Sequence, residues 1–217
     1  MRYCREEEEF SSLNIYRYMK NTLRFNPPRS WYAGGNLNPQ LLGLTHLVGS
    51  VASFIQGVKN PKMLEIGSFM GESTLLFASM GCFNEVHCIE PFSGNFDEYK
   101  EYGDDWSAIK REFWTNTRHF KDKIHLYKDF SYNMVDKFED ESFDFIYIDA
   151  RHEYKHIKLD LELYLPKVKI GGSIGGHDYA KEFSGVQRAV NEMCNDLDQT
   201  QPESVFMDNS WLVRKLS

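Results

Sequence analysis

Four cysteines in 217 residues, Cys4, Cys82, Cys88 and Cys194, are too few and too scattered for a disulfide framework, and none forms a C-x-x-C pair. No apolar N-terminal segment follows a basic one, so the expectation is reduced thiols in a cytoplasmic protein. No window is apolar over the length a bilayer requires, which excludes a membrane-spanning helix. Positive charge is also scarce: 25 Lys and Arg face 32 Asp and Glu, a net −7, and the basic residues are unclustered. That disfavours a phosphate-tracking surface and hence a nucleic-acid partner. Two glycine patterns are missing as well, G-x-G-x-x-G and G-x-x-x-x-G-K-[ST], which points away from dinucleotides and nucleoside triphosphates.

What remains is a globular composition, 41% hydrophobic and 15% aromatic, long enough for one sizeable α/β core. Glu6 to Glu9 precede Phe10, Leu13, Tyr16, Met19 and Leu23, whose spacing predicts a one-sided helix stopped by Asn26-Pro27-Pro28. Residues 29–38, with Trp31, Tyr32, Gly34 and Gly35, are punctuated for irregular backbone. A second helix is expected from about Pro39 to Gly57, with Leu41, Leu44, Val48, Val51, Ala52, Phe54, Ile55 and Val58 as its stripe. Residues 1–60 thus form a helical extension with a lid loop, packed on a domain spanning 61–217 as a single unit.

From Pro61 onward short apolar strands alternate with amphipathic helices, the pattern of a doubly wound parallel sheet in an α/β fold. The strand candidates are Met63–Ile66, Glu85–Ile89, Lys123–Tyr127, Phe143–Asp149 and Gly172–Gly176, the first and fourth apolar enough to be central. Ser204–Met207 and Trp211–Lys215, separated by Asp208-Asn209-Ser210, predict a terminal hairpin.

In such a sheet the ligand lies beyond the C-terminal ends of the strands. Glu65-Ile66-Gly67-Ser68-Phe69-Met70-Gly71-Glu72-Ser73-Thr74 is placed there. Gly67 permits the sharp exit from the strand, Gly71 clears room for a ligand, and Ser73 and Thr74 offer donors at a helix N-terminus that suits the carboxylate of a methionine moiety. Glu90 ends the second strand 23 residues after Gly67, where a carboxylate accepts from both ribose hydroxyls of a nucleoside. Glu65, Ser68 and Asp149 complete the expected cofactor contacts, with Asp129 after the third strand near the adenine amino group or simply a solvated loop acid.

The fourth strand delivers Asp149 into the same crevice, His152 follows, and the fifth strand ends at His177-Asp178. Asp149, His177 and Asp178 can bind one divalent cation, Mg²⁺ or Mn²⁺, and His152 can take a proton from a hydroxyl acceptor. Each has a structural alternative: Asp149 as a helix N-cap, His152 as a loop histidine, Asp178 as a turn former.

Phe143 to Tyr154 with Asp160, then Gly171-Gly172-Ser173-Ile174-Gly175-Gly176-His177-Asp178-Tyr179 and Gly185-Val186, resembles the class I methyltransferase group that contains the macrolide-sugar O-methyltransferases and the cephalosporin-hydroxylase-like proteins, methyltransferase family 24 type. More distantly it is similar to catechol O-methyltransferase. The resemblance covers about Lys62 to Met193. It implies S-adenosylmethionine as methyl donor and a Rossmann-like sheet of seven strands, ordered 3-2-1-4-5-7-6 with the last strand antiparallel. It also implies Mg²⁺ on Asp149 and on His177 with Asp178, and His152 as base. Two departures stand out, Phe69 at the usual central glycine and His177 where a carboxylate or amide is usual, and the second keeps a metal-independent transfer open. A non-catalytic nucleoside-binding protein is the remaining alternative.

The expected acceptor is a hydroxyl on a small molecule or saccharide. Trp31, Tyr32 and the segment from Phe92 to Tyr102, with Phe96 and Tyr99, are either a lid over it or packing anchors. The N-terminal helix and its aromatic loop also offer a surface for a homo-oligomer.

Overall fold

The computed structural model describes residues 32–33, 36–37, 39–94 and 105–216. The expected helix carrying Phe10, Leu13, Tyr16, Met19 and Leu23, together with Cys4, Trp31, Phe96 and Tyr99, lies outside the described residues.

A short antiparallel ribbon of β1 (Tyr32–Ala33) and β2 (Asn36–Leu37) precedes helix α1 (Pro39–Phe54). Proline at the first helical position costs nothing, since that N–H has no intrahelical partner and its φ is already helical. Leu41, Leu44, Val48, Val51, Ala52 and Ile55 are buried as their spacing predicts, whereas Val58 is exposed. Phe54 is partly covered by the guanidinium of Arg214, 4.6 Å above its ring.

The chain then alternates: β3 (Lys62–Ile66), α2 (Glu72–Ser79), β4 (Glu85–Ile89), α3 (Trp106–Thr117), β5 (Ile124–Tyr127), α4 (Ser131–Met134), β6 (Phe143–Ile148), α5 (Tyr154–Tyr164), β7 (Val168–Gly176), α6 (Ser184–Asp196), β8 (Ser204–Val205) and β9 (Trp211–Arg214). Seven of these strands form one sheet ordered β5-β4-β3-β6-β7-β9-β8. Neighbours from β5 to β7 are parallel; β9 runs antiparallel to both β7 and β8. This is the doubly wound, Rossmann-like fold with the expected strand order.

Alternation along each strand sends side chains to two cores. Met63, Phe145, Tyr147 and Leu212 pack with α1, α2 and α3, while Leu64, Ile66, Ile146, Ile148 and Val213 pack with α5 and α6. All six residues of β6 are buried, as a central strand covered on both faces requires. Each such aliphatic side chain contributes about 1.5–3 kcal/mol over its exposed state, so this double layer holds the strand tips rigidly.

β7 begins at Val168 rather than Gly172. Its early residues pair with Phe143 before a register shift, and Ile170 is 59% exposed, so that stretch lacks the apolar pattern that marks a strand.

Candidate active site

The tips of β3, β4, β5 and β6 open into a cavity of about 390 Å³, walled by Gly67, Glu90, Pro91, Ser131, Arg151 and Asp160 among others. Gly67 has φ +89°, and a Cβ there would lie 2.0 Å from the Asp149 carbonyl oxygen, so only glycine lets β3 turn this close to the β6 tip. Ser68, itself buried, accepts from the Gly71 N–H at 2.7 Å and closes the loop. Gly71 (φ +76°) serves differently from expectation: a Cβ there would meet the Phe113 ring at 2.7 Å, so its missing side chain makes room for α3, not for a ligand.

Glu65, Ser73 and Thr74, expected at the cofactor, bind one another beneath the loop instead. Glu65 is fully buried and accepts from Ser73 Oγ at 2.5 Å and from Thr74 Oγ1. A buried carboxylate without a cation takes whatever donors the adjacent helix start supplies. Burial pushes it up to about pKa 7 even so, against the pull of those hydroxyls. The Cys88 thiol, 3.8 Å from Glu65, is itself raised by burial. Cys82 and Cys194 are also buried free thiols, as the spacing predicts.

Glu90 is 2% exposed and lies on the cavity wall. Its carboxylate accepts from the Phe69 N–H at 2.9 Å and the Phe92 N–H at 3.0 Å. Both donors belong to residues with left-handed backbone, φ 41° and 46°. Burial raises the Glu90 pKa, and the two backbone hydrogen bonds offset part of the rise. Phe92 is a packing anchor, its ring edge-on to Phe113 at 6.2 Å.

Asp129 does not reach the cavity. It accepts from the Phe130 N–H at 2.7 Å and the Asn133 amide at 2.8 Å, which tie it to the start of α4 and lower its pKa. The cavity wall there comes from Phe130, Ser131 and Tyr132. The carboxylate that does reach it is Asp160, on α5, 5% exposed and pushed by burial to about pKa 6. Ser131 Oγ donates to Asp160 Oδ1 at 2.5 Å, and the Tyr164 hydroxyl donates to the Ser131 carbonyl at 2.7 Å. The sequence signal was available: Asp160 falls between Ile157 and Tyr164 on the buried stripe of α5.

The loop after β6 has two sides. Ala150 and Arg151 line the cavity, while Asp149 and His152 flank them and meet Asp178. One ligand atom from each of Asp149, His152 and Asp178 lies within 4.8 Å of the others. His152 Nε2 is 2.9 Å from Asp178 Oδ2, and the His152 ring stands edge-on to Phe183 at 4.8 Å. Asp149 is not the cap of α5, since the residue before its first turn is Glu153. Burial raises Asp149 to about pKa 6. Asp178 does form a turn, with φ 63°.

His177, expected as a ligand, stands behind this group. Its Nδ1 is 2.9 Å from Asp178 Oδ1, and its Nε2 faces the buried Asp208 at 3.9 Å. Burial opposes its charge, but the Asp178 hydrogen bond and the charges of Asp149, Asp178 and Asp208 win, raising it to about pKa 9. His177 is thus engaged by Asp178 on one side and faces Asp208 on the other, and the ligand atoms that converge are those of Asp149, His152 and Asp178. Burial also works against the Asp178 carboxylate, but its bonds to His152 and His177 hold it far below the ordinary range. Asp208 accepts from Ser210 N and Oγ, at 3.1 and 2.8 Å, and abuts α1 at Gly43, where a Cβ would lie 2.0 Å from its Oδ1.

Solved structures similar to the chain confirm the architecture. The O-methyltransferase NovP matches with a TM-score of 0.64 at 15% identity, over 94% of this chain and 97% of that one. An O-methyltransferase from Bacillus cereus, solved in complex with SAH, matches with a TM-score of 0.52 at 14% identity, over 94% and 96%. Spermidine synthase from Thermotoga maritima also matches, with a TM-score of 0.51 at 14% identity over 74% and 55%, so the fold alone does not fix the acceptor. No curated protein matches. The methyltransferase domain family matches residues 64–179, from the middle of β3 past Asp178. That span holds Gly67, Glu90, Asp149, His152 and Asp178 and exceeds half of the sequence, so this chain, with the fold of the class I methyltransferases, belongs to the methyltransferase domain family.

Proposed function

We propose that this protein transfers the methyl group of S-adenosylmethionine to a hydroxyl of a small molecule or saccharide. The observation that carries the reading is one loop, 149–152, whose middle residues line a nucleoside-sized cavity and whose end residues form an acid–histidine group. The cofactor would be held by the Gly67 turn, by Glu90 at the ribose hydroxyls and by the Phe130–Tyr132 segment at the base. It supplies an already activated methyl group. The acceptor for recognition of the base is Asp160, whose buried carboxylate beside Ser131 suits an exocyclic amine; Asp129 is turned away from it.

The acceptor oxygen forms the new bond to the methyl carbon while the carbon–sulfur pair stays on sulfur. The hydroxyl proton must leave, and His152 is the group at hand. Asp178, 2.9 Å from its Nε2, orients the ring and would stabilise the imidazolium that forms when the proton is taken. Asp149, His152 and Asp178 are also the residues that would hold a divalent ion, whose Lewis acidity would lower the pKa of the hydroxyl. A mixed nitrogen and oxygen set suits Mn²⁺ better than Mg²⁺. The direct His152–Asp178 contact supports a second reading, in which His152 works as an oriented base without an ion.

The test is calorimetric titration of the purified chain with S-adenosylhomocysteine. Saturable one-to-one binding is expected; no binding to protein freed of endogenous cofactor would sink the reading.

A further inference from the structure

Away from the crevice, β4 and β5 carry a second group of metal-ligating side chains. His87 and His125 are register partners on these adjacent parallel strands, and their rings stack at 4.7 Å. Glu85 lies two residues before His87, so period-two alternation puts all three side chains on one face of the sheet. Glu85 Oε2 is 3.1 Å from His87 Nε2 and 3.8 Å from His125 Nε2. The other oxygen, Oε1, is held by Lys62 Nζ at 3.0 Å, which leaves Oε2 aimed at the two imidazoles.

We propose that Glu85, His87 and His125 form a site for one zinc-class divalent ion, separate from the crevice. Tetrahedral zinc, with bonds of about 2.0–2.1 Å to nitrogen and oxygen, sets its ligand atoms about 3.3 Å apart. The distances of 3.1 and 3.8 Å bracket that spacing. Two imidazole nitrogens with one carboxylate select ions of the zinc, cobalt and nickel kind over the hard Mg²⁺ and Ca²⁺. The outer support such a site needs is already built. The Tyr127 hydroxyl sits 3.0 Å from His87 Nδ1 and fixes the ring, as partners of ligating histidines do. Phe138 and Phe143 pack edge-on against the same ring at 6.0 and 5.2 Å.

An ion pair of histidinium with glutamate is the competing account of this cluster. Against it, two stacked imidazoles 4.7 Å apart are set on one carboxylate oxygen, where an ion pair would need only one of them. The fourth coordination position faces solvent, because the His125 side chain is 45% exposed. An ion there would clamp the edge strand β5 to β4 and stabilise the folded chain by mass action.

The experiment is titration of the full chain with Zn²⁺ by calorimetry and with Co²⁺ by visible absorbance, in the unsubstituted protein, in Asp149→Asn and in His125→Ala. One ion per chain is expected in Asp149→Asn, where the crevice group lacks a ligand, with the intense visible band of tetrahedral Co²⁺, and at least that one in the unsubstituted protein. His125→Ala, at an exposed position, should weaken binding at least about tenfold without lowering the melting temperature of the metal-free chain, and Tyr127→Phe should weaken it about tenfold. Mg²⁺ should not compete. No uptake, uptake unchanged by His125→Ala, or uptake lost in Asp149→Asn would each overturn the proposal; none of these bears on whether S-adenosylhomocysteine binds.

Discussion

The Glu90 carboxylate holds the backbone N–H of Phe69 at 2.9 Å, so the acid at the tip of β4 shapes the glycine loop after β3. In the proposed function, binding of a nucleoside and folding of that loop share one side chain. Glu90→Ala would then remove the proposed ribose acceptor and strand two N–H groups, each worth about 1–3 kcal/mol when left unpaired. S-Adenosylhomocysteine affinity should fall about 100-fold by calorimetry. Glu90→Gln, which still accepts from one N–H, should fall about tenfold. Affinity unchanged in Glu90→Ala would place the ribose elsewhere.

Asp160 gives a test of base recognition that a folding defect cannot mimic. If its carboxylate accepts from the exocyclic amine, Asp160→Asn, which can donate instead, should bind S-adenosylhomocysteine about tenfold more weakly and lose little or gain for S-inosylhomocysteine. A general loss of packing would weaken both ligands alike, and that outcome would reduce Asp160 to a strut between α5 and Ser131.

The acid–histidine group separates its two mechanisms by what EDTA does. With an ion engaged, chelation and Asp149→Asn should each lower kcat by about 100-fold or more, and Mn²⁺ should restore the chelated enzyme. With His152 acting alone, EDTA changes nothing while His152→Gln lowers kcat by about 10²–10⁴-fold. Turnover that survives both treatments would remove the group from the chemistry.

Glu65 makes stability depend on pH in a direction opposite to that of a salt-bridged acid. Its folded pKa of about 7 exceeds its ordinary value of 4.5, so the folded chain binds the proton more tightly. The stabilisation is complete below the unfolded value and is lost as pH rises through the folded one, up to roughly 3 kcal/mol. Glu65→Gln cannot ionise and keeps one acceptor and one donor for Ser73 and Thr74. Urea melts at about pH 5 and about pH 8 should therefore show a smaller difference for the variant than for the unsubstituted chain. An equal difference in the two would mean that Glu65 stays ionised in the folded protein.

The strands were legible because their apolar runs are short and bounded, and β3 and β6 are the most continuous of them. The grouping of Asp149, His152 and Asp178 was legible because they follow the tips of β6 and β7, which are neighbours in the sheet. What sequence could not supply was direction. Ser73 and Thr74 look like ligand donors until Glu65 is seen to lie beneath them, and Gly71 looks like clearance until Phe113 fills the space. Asp129 and Asp160 part for the same reason: a loop acid is tied to its own neighbours Phe130 and Asn133, whereas an acid on the apolar stripe of α5 is carried to the cavity. His177 adjoins Asp178 in the chain, and only the fold shows that its Nε2 faces Asp208.

Gly43 sits in α1, far along the chain from the chemistry, yet its bare Cα rests on Asp208, which faces His177, which grips Asp178, which grips His152. The helix before the sheet is therefore a backstop for this row of side chains. Anyone trimming the protein to its sheet for expression should keep Pro39–Phe54, and a gene variant that merely adds a methyl group at position 43 can silence an enzyme whose crevice looks untouched.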